Sequence, residues 1–122
     1  MHGLDPAIVP HLQTIAHASS ETLTLVFLNN MGATLGIHHM PPGGLATLDV
    51  PLRTVVALAL AHDSRFVVMA HNHPSGDPEP SPEDLRTTRR VAGALDLLGI
   101  RLVDHLVLAA DASVSFRARG LL

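Results

Sequence analysis

Two histidines one residue apart, His71 and His73, close a short apolar run, and Asp84 follows after ten further residues. Imidazole nitrogens and carboxylate oxygens are the donors left for a divalent metal in a chain with no cysteine. Two imidazoles and one carboxylate leave a fourth position open on a tetrahedral zinc, the composition of a catalytic rather than a structural centre. The same set would suit a non-haem iron oxygenase. Glu21, one of three glutamates, lies fifty positions before His71 and is a candidate general base. Ser81, three residues before Asp84, could donate a hydrogen bond to a developing oxyanion. Each residue also has a plainer reading: a His-x-His that decorates a loop, a capping contact within Ser81-x-x-Asp84, and a strand-edge glutamate that reaches water. The string His71-Asn72-His73 is not the arrangement of an HNH nuclease, whose residues are spread over a ββα unit.

The elements that must carry these groups can be read from periodicity and punctuation. Asp5 and Pro6 read as the N-cap and first position of a leading helix that Pro10 kinks and that runs to about Ala18. Thr22 to Leu28 alternates as a strand, which puts Glu21 on the core face with Leu23, Leu25 and Phe27. Asn29-Asn30-Met31-Gly32 turns this strand into a second one ending near Met40. Past the Pro41-Pro42-Gly43-Gly44 break and a short extended piece, Asp49 and Pro51 introduce an apolar helix from Leu52 to about His62. Arg65 to His71 is a nearly unbroken apolar run, suited to a central strand, and Pro74 keeps His73 extended, so His71 and His73 point the same way.

Ser81-Pro82-Glu83-Asp84 opens a long helix that ends near Leu98-Gly99. Thr88, Val91, Leu95 and Leu98 form its apolar stripe, with Arg86, Arg89 and Arg90 on the far side. Asp84 falls in the stripe, where a carboxylate costs several kcal/mol unless it is paired or coordinating. Ile100 to Ala109 reads as a strand interrupted at Asp104-His105, and Val114-Ser115-Phe116 as a last short element. Helices and strands interleave, which predicts an α/β chain with a mixed sheet sandwiched between helices. Residues 1–18 are the leading helix and 19–122 the sheet domain, one globular unit overall.

Composition excludes much else. At 122 residues and 47% hydrophobic content the chain supports one core and no eight-fold barrel. The lack of cysteine rules out disulfides, iron–sulfur clusters and every thiolate zinc site, that of the nucleic-acid deaminases included. The net charge is −3, every basic residue is an arginine and no run of positives exists, which argues against a phosphate-backbone surface. No apolar stretch approaches the ~20 residues of a membrane span, and Met1-His2-Gly3-Leu4-Asp5 lacks the regions of a signal peptide, so a cytoplasmic location is expected.

Glu21, His71-x-His73-Pro74 and Ser81-x-x-Asp84 together resemble the metal-site pattern of the JAMM/MPN metallopeptidases. Within that group, HNHPSGDPEPSPEDLRTTRR, LLGIRLVDHLVL and SFRARGLL are similar to the RadC family, over about Glu21 to Leu122. The resemblance implies a cytidine-deaminase-like fold, one Zn2+ per chain on His71, His73 and Asp84, an acid/base role for Glu21 and an oxyanion role for Ser81. It implies hydrolysis of an amide in a peptide or protein substrate, without strong nucleic-acid or membrane binding, and is compatible with a homodimer. The chain before Glu21 has room for one helix, where full-length RadC-like proteins usually carry a helix-hairpin-helix region. Arg117-Ala118-Arg119 stands where the family often has an acidic residue, and the stretch Ile37 to Pro42 matches poorly. Three functions stay open: a zinc peptidase or isopeptidase-like hydrolase, a DNA-repair-associated domain using Arg86, Arg89 and Arg90, and a non-catalytic MPN-like scaffold, against which the intact ligands speak. His38 and His39 read as surface histidines, and His105 as either a group behind the ligands or a satisfied buried histidine.

Overall fold

The structure, a computed structural model, describes residues 6–40 and 51–122. The expected cap at Asp5, the break at 41–44 and the helix signal at Asp49 lie outside them. The chain runs from a 3-10 turn at Pro6–Ile8 through α1 (Val9–Ala16), β1 (Leu23–Leu28), β2 (Thr34–His39), α2 (Leu52–Ala61), β3 (Phe66–Asn72), α3 (Pro82–Asp96), β4 (Arg101–Leu108) and β5 (Ser113–Ser115). The strands form one mixed sheet in the order β2-β1-β3-β4-β5. Among the described residues only β3 and β4, joined through α3, are parallel; the other neighbours are antiparallel.

Both faces of this sheet are covered, as expected of a sheet between helices. Leu23, Leu25, Phe27, Val67, Met69 and Leu102 pack against Val55 and Ala59 of α2 and Val91 and Leu95 of α3. On the opposite face Val26, Leu28, Val68, Ala70, Leu106 and Leu108 meet Ile8, Leu12 and Ile15. The leading helix therefore shares the core of the sheet, and β1 is buried along its whole length rather than on one face. Among the described residues no helix is long and apolar enough to cross a membrane.

Four local expectations are corrected. Pro10 does not kink the leading helix; it lies in the first turn of α1, where its missing N–H leaves no hydrogen bond broken, and the helix ends at Ala16. α3 ends at Asp96, so Leu98 is 45% exposed and Ile100 closes the stripe instead. Gly99, at φ +72°, turns the chain there. The last long strand is not interrupted at Asp104-His105: it runs through both, with a register shift that leaves Val103 unpaired between Leu102 and Asp104. That bulge reverses the side-chain alternation beyond it, so His105, not Asp104, shares a face with Met69 and His71.

Candidate metal centre

Because β1 runs antiparallel to β3, the start of β1 lies beside the end of β3, and Leu23 pairs with His71. Glu21, two residues before Leu23 and on the same parity, thereby arrives next to His71. The His71 side chain is fully buried, and His73 extends the ladder by donating its N–H to the Leu108 carbonyl at 2.8 Å. The two rings lie on the same side, with centroids 4.8 Å apart and Nε2 atoms 3.0 Å apart.

The third group comes from the first turn of α3. Ser81 and Asp84 form a reciprocal capping box: the Asp84 N–H donates to the Ser81 hydroxyl at 3.1 Å, and the Ser81 N–H donates to Asp84 Oδ2 at 2.8 Å. The capping reading of Asp84 is thus a fact of the structure, yet its carboxylate has further neighbours. Oδ1 stands 3.4 Å from His71 Nε2 and Oδ2 stands 3.3 Å from His73 Nε2. Glu21 Oε1 lies 3.9 Å from His71 Nε2. The Asp84 carboxylate is almost wholly buried, whereas Glu21 is partly open to solvent.

Burial, the largest influence on Asp84, pushes its carboxyl up. The adjacent His71 imidazole, the Ser81 N–H and the His73 imidazole outweigh it and hold the group at about 2. It is a carboxylate at neutral pH. For His105, burial foremost and then the neighbouring His71 push the imidazole down to about 3, Asp84 acting the other way, so that ring is neutral.

Glu21, His71 and His73 form a group that could hold a metal ion. The surrounding chemistry fits one. His73 Nδ1 lies 2.9 Å from the Asp77 carbonyl, which can only accept, so the hydrogen of the neutral ring sits on Nδ1 and its Nε2 is a lone pair. Ligands about 2.0–2.1 Å from a tetrahedral ion stand roughly 3.3–3.4 Å apart. The two Nε2 atoms are 3.0 Å apart, and Asp84 offers a different oxygen to each, Oδ1 at 3.4 Å from His71 and Oδ2 at 3.3 Å from His73, spacings of that order.

Three groups stand behind the site: His105, for which the sequence left such a place open, and Asn72 and Thr88, which it did not single out. Asn72, between the two histidines, points away from them, and its Oδ1 accepts from the Thr22 N–H at 2.6 Å. Its amide also donates to the Ala18 and Ser20 carbonyls at 3.2 and 3.0 Å, clamping the segment that bears Glu21. His105 lies with Nε2 2.7 Å from His71 Nδ1 and Nδ1 2.6 Å from the Thr88 hydroxyl. A buried polar residue next to a ligand is the signal that could have singled out Asn72. Thr88 was concealed by its place in an apolar stripe. His38 and His39 are not drawn into the site: His39 bonds Thr24 Oγ1 at 2.7 Å and stacks on His11.

A five-stranded mixed sheet between helices, with a His-x-His and two carboxylates gathered at one strand end, defines a JAB/MPN-type domain. The chain matches the RadC-like JAB domain over residues 5–121 and belongs to that family. A UPF0758 protein of Cellvibrio japonicus is 41% identical over 108 residues, which cover 88% of this chain and 48% of that protein. One from Symbiobacterium thermophilum is 40% identical over 108 residues, 88% of this chain and 46% of its own length. One from Xanthomonas axonopodis pv. citri is 37% identical over 110 residues, 90% and 49% respectively. The chain spans about half the length of the curated relatives it matches.

Proposed function

We propose that this domain is a zinc-dependent hydrolase of amide bonds, acting on a peptide or protein segment as a peptidase or isopeptidase. One observation supports the reading: the Nε2 atoms of His71 and His73 lie 3.0 Å apart with the Asp84 carboxylate within 3.4 Å of each, and Glu21 Oε1 lies 3.9 Å from His71 Nε2. His71, His73 and Asp84 would hold the ion. Zinc so bound supplies Lewis acidity, lowering the pKa of water toward ~7 and polarising the scissile carbonyl.

The chain's own groups do the rest. Glu21 takes a proton from the attacking water as the new carbon–oxygen bond forms, then passes it to the leaving amine as the carbon–nitrogen bond breaks. Its partial exposure lets it trade protons with substrate, while the buried Asp84 stays ionised and fixed by the helix cap. The Ser81 hydroxyl oxygen accepts from the Asp84 N–H, so its own proton can be given to the oxyanion. The test is hydrolysis of a mixed peptide and isopeptide library followed by mass spectrometry. The reading expects cleavage that a chelator stops and added zinc restores; cleavage indifferent to chelator would overturn it.

A further inference from the structure

We infer that Thr88 and His105 direct the proton of His71, fixing that imidazole with its Nε2 lone pair toward Asp84 and His73, and so act as positioning residues for metal binding. For its consequence the inference rests on the reading of the site as a zinc centre; for its geometry it does not.

The assignment follows from counting hydrogens. The Thr88 hydroxyl has one proton and two close partners, the Asp84 carbonyl at 2.7 Å and His105 Nδ1 at 2.6 Å. A carbonyl can only accept, so the hydroxyl proton goes to it. His105 Nδ1 must then carry a hydrogen and donate it to Thr88 Oγ1. The His105 ring is fully buried, where a second proton and its charge are disfavoured, so its Nε2 is a lone pair. His71 Nδ1, 2.7 Å from that lone pair, must be the donor. A neutral His71 with its hydrogen on Nδ1 presents a bare Nε2 to the site.

That atom lies 3.0 Å from His73 Nε2, which in the neutral ring is also bare because His73 Nδ1 donates to Asp77. Two lone pairs and a carboxylate facing one another repel unless a cation lies among them. In the opposite tautomer, His71 Nε2 would carry a hydrogen aimed at His73 and exclude an ion. The selection is therefore made on α3, by a hydroxyl that touches no ligand side chain. Two features hold the relay in place: the Val103 bulge puts His105 on this face, and Phe116 stacks on its ring at 4.6 Å and 23°. Orientation of a ligand histidine through its second nitrogen is a general device of metal sites; here the partner is another imidazole whose own tautomer is set by a threonine.

The test uses metal-free protein first. Long-range 1H–15N spectra of the wild type at neutral pH should show hydrogen on Nδ1 of His71, His73 and His105; a His71 with hydrogen on Nε2 and none on Nδ1 would overturn the inference without any variant. Zn2+ affinity is then measured by competition with a chromophoric chelator. Thr88→Val, which keeps the shape and removes the acceptor, should weaken binding about 10- to 100-fold. Thr88→Ser should restore it to within about threefold, since the hydroxyl returns. Equal affinity for Thr88→Val and wild type overturns the inference. Failure of the wild type itself to take up zinc would instead overturn the functional reading and leave the tautomer spectra to decide the relay.

Discussion

The Asn72 side chain and the Thr22 backbone meet at 2.6 Å across fifty residues of sequence, the Thr22 N–H donating to Asn72 Oδ1. Since Asn72 lies on the strand that carries His71, its amide side chain reinforces the β1–β3 pairing that brings the proposed base to the proposed ligands.

Truncating that clamp separates position from chemistry. Asn72→Ala leaves the Thr22 N–H and the Ala18 and Ser20 carbonyls without their partner, at a cost of about 1–3 kcal/mol for each group that water does not reach. Zinc content should be nearly unchanged while turnover falls toward that of a Glu21 variant. Parallel metal analysis and peptide cleavage check this. Full turnover with the clamp removed would show that Glu21 needs no such support.

Glu21→Gln is close in size and removes only the ability to accept and return a proton. Fold and zinc occupancy should survive, and turnover should drop about 10²–10⁴-fold. Circular dichroism, metal analysis and cleavage of whichever library peptide the parent cuts make the comparison. Parental turnover in the glutamine variant would remove Glu21 from the mechanism.

Much of this arrangement was legible because it obeys simple periodicities. Strand parity put Glu21 on the face of Leu23 and Leu25, the proline after His73 kept both imidazoles on one side, and helical spacing put Asp84 in line with Thr88 and Val91. What escaped depends on departures from periodicity. Counting by twos from Leu102 puts Asp104, not His105, on the site face; one unpaired residue, Val103, reverses this, and no residue type there announces a bulge. Burial of both faces of β1 needed the leading helix to fold back on the sheet, a tertiary event that local alternation does not encode. Asn72 faces the other way from the histidines flanking it, so their spacing carries no signal for its contacts with Thr22, Ala18 and Ser20.

Acid should destabilise the metal-free protein in two overlapping steps. Burial foremost holds folded His105 near 3, below the ordinary 6.5, so between those values the unfolded chain binds a proton that the native one refuses. Stability therefore falls as pH drops from about 6.5 to 3, by several kcal/mol. Asp84, at about 2 against 3.8, has the same sign over a lower window and contributes about 2 kcal/mol that is lost between pH 3.8 and 2. Urea midpoints taken at pH 7, 5 and 4 in the presence of chelator should decline steadily. A constant midpoint over that range would contradict a neutral, buried His105.

Nucleic-acid binding should be weak at physiological salt. Arg86, Arg89 and Arg90 are exposed on the outer side of α3, but Arg86 is paired with Glu83, and Arg119 is held by both carboxylate oxygens of Glu79 at 2.8 Å. With a net charge of −3, carboxylates outnumber the cations that could release counterions from a phosphate backbone. Titration of fluorescent duplex DNA over a range of salt concentrations checks this. Tight, salt-sensitive binding lost on replacing Arg86, Arg89 and Arg90 by alanine would make the domain a DNA-associated one.

Whether His71, His73 and Asp84 hold a zinc ion is decided by elemental analysis of protein purified without chelator. The wild type should carry close to one zinc per chain, because two imidazole nitrogens and a buried carboxylate converge at one point. His71→Ala, His73→Ala and Asp84→Ala should each lose most of it. A wild type without zinc, or stoichiometric zinc retained by all three variants, would contradict the assignment.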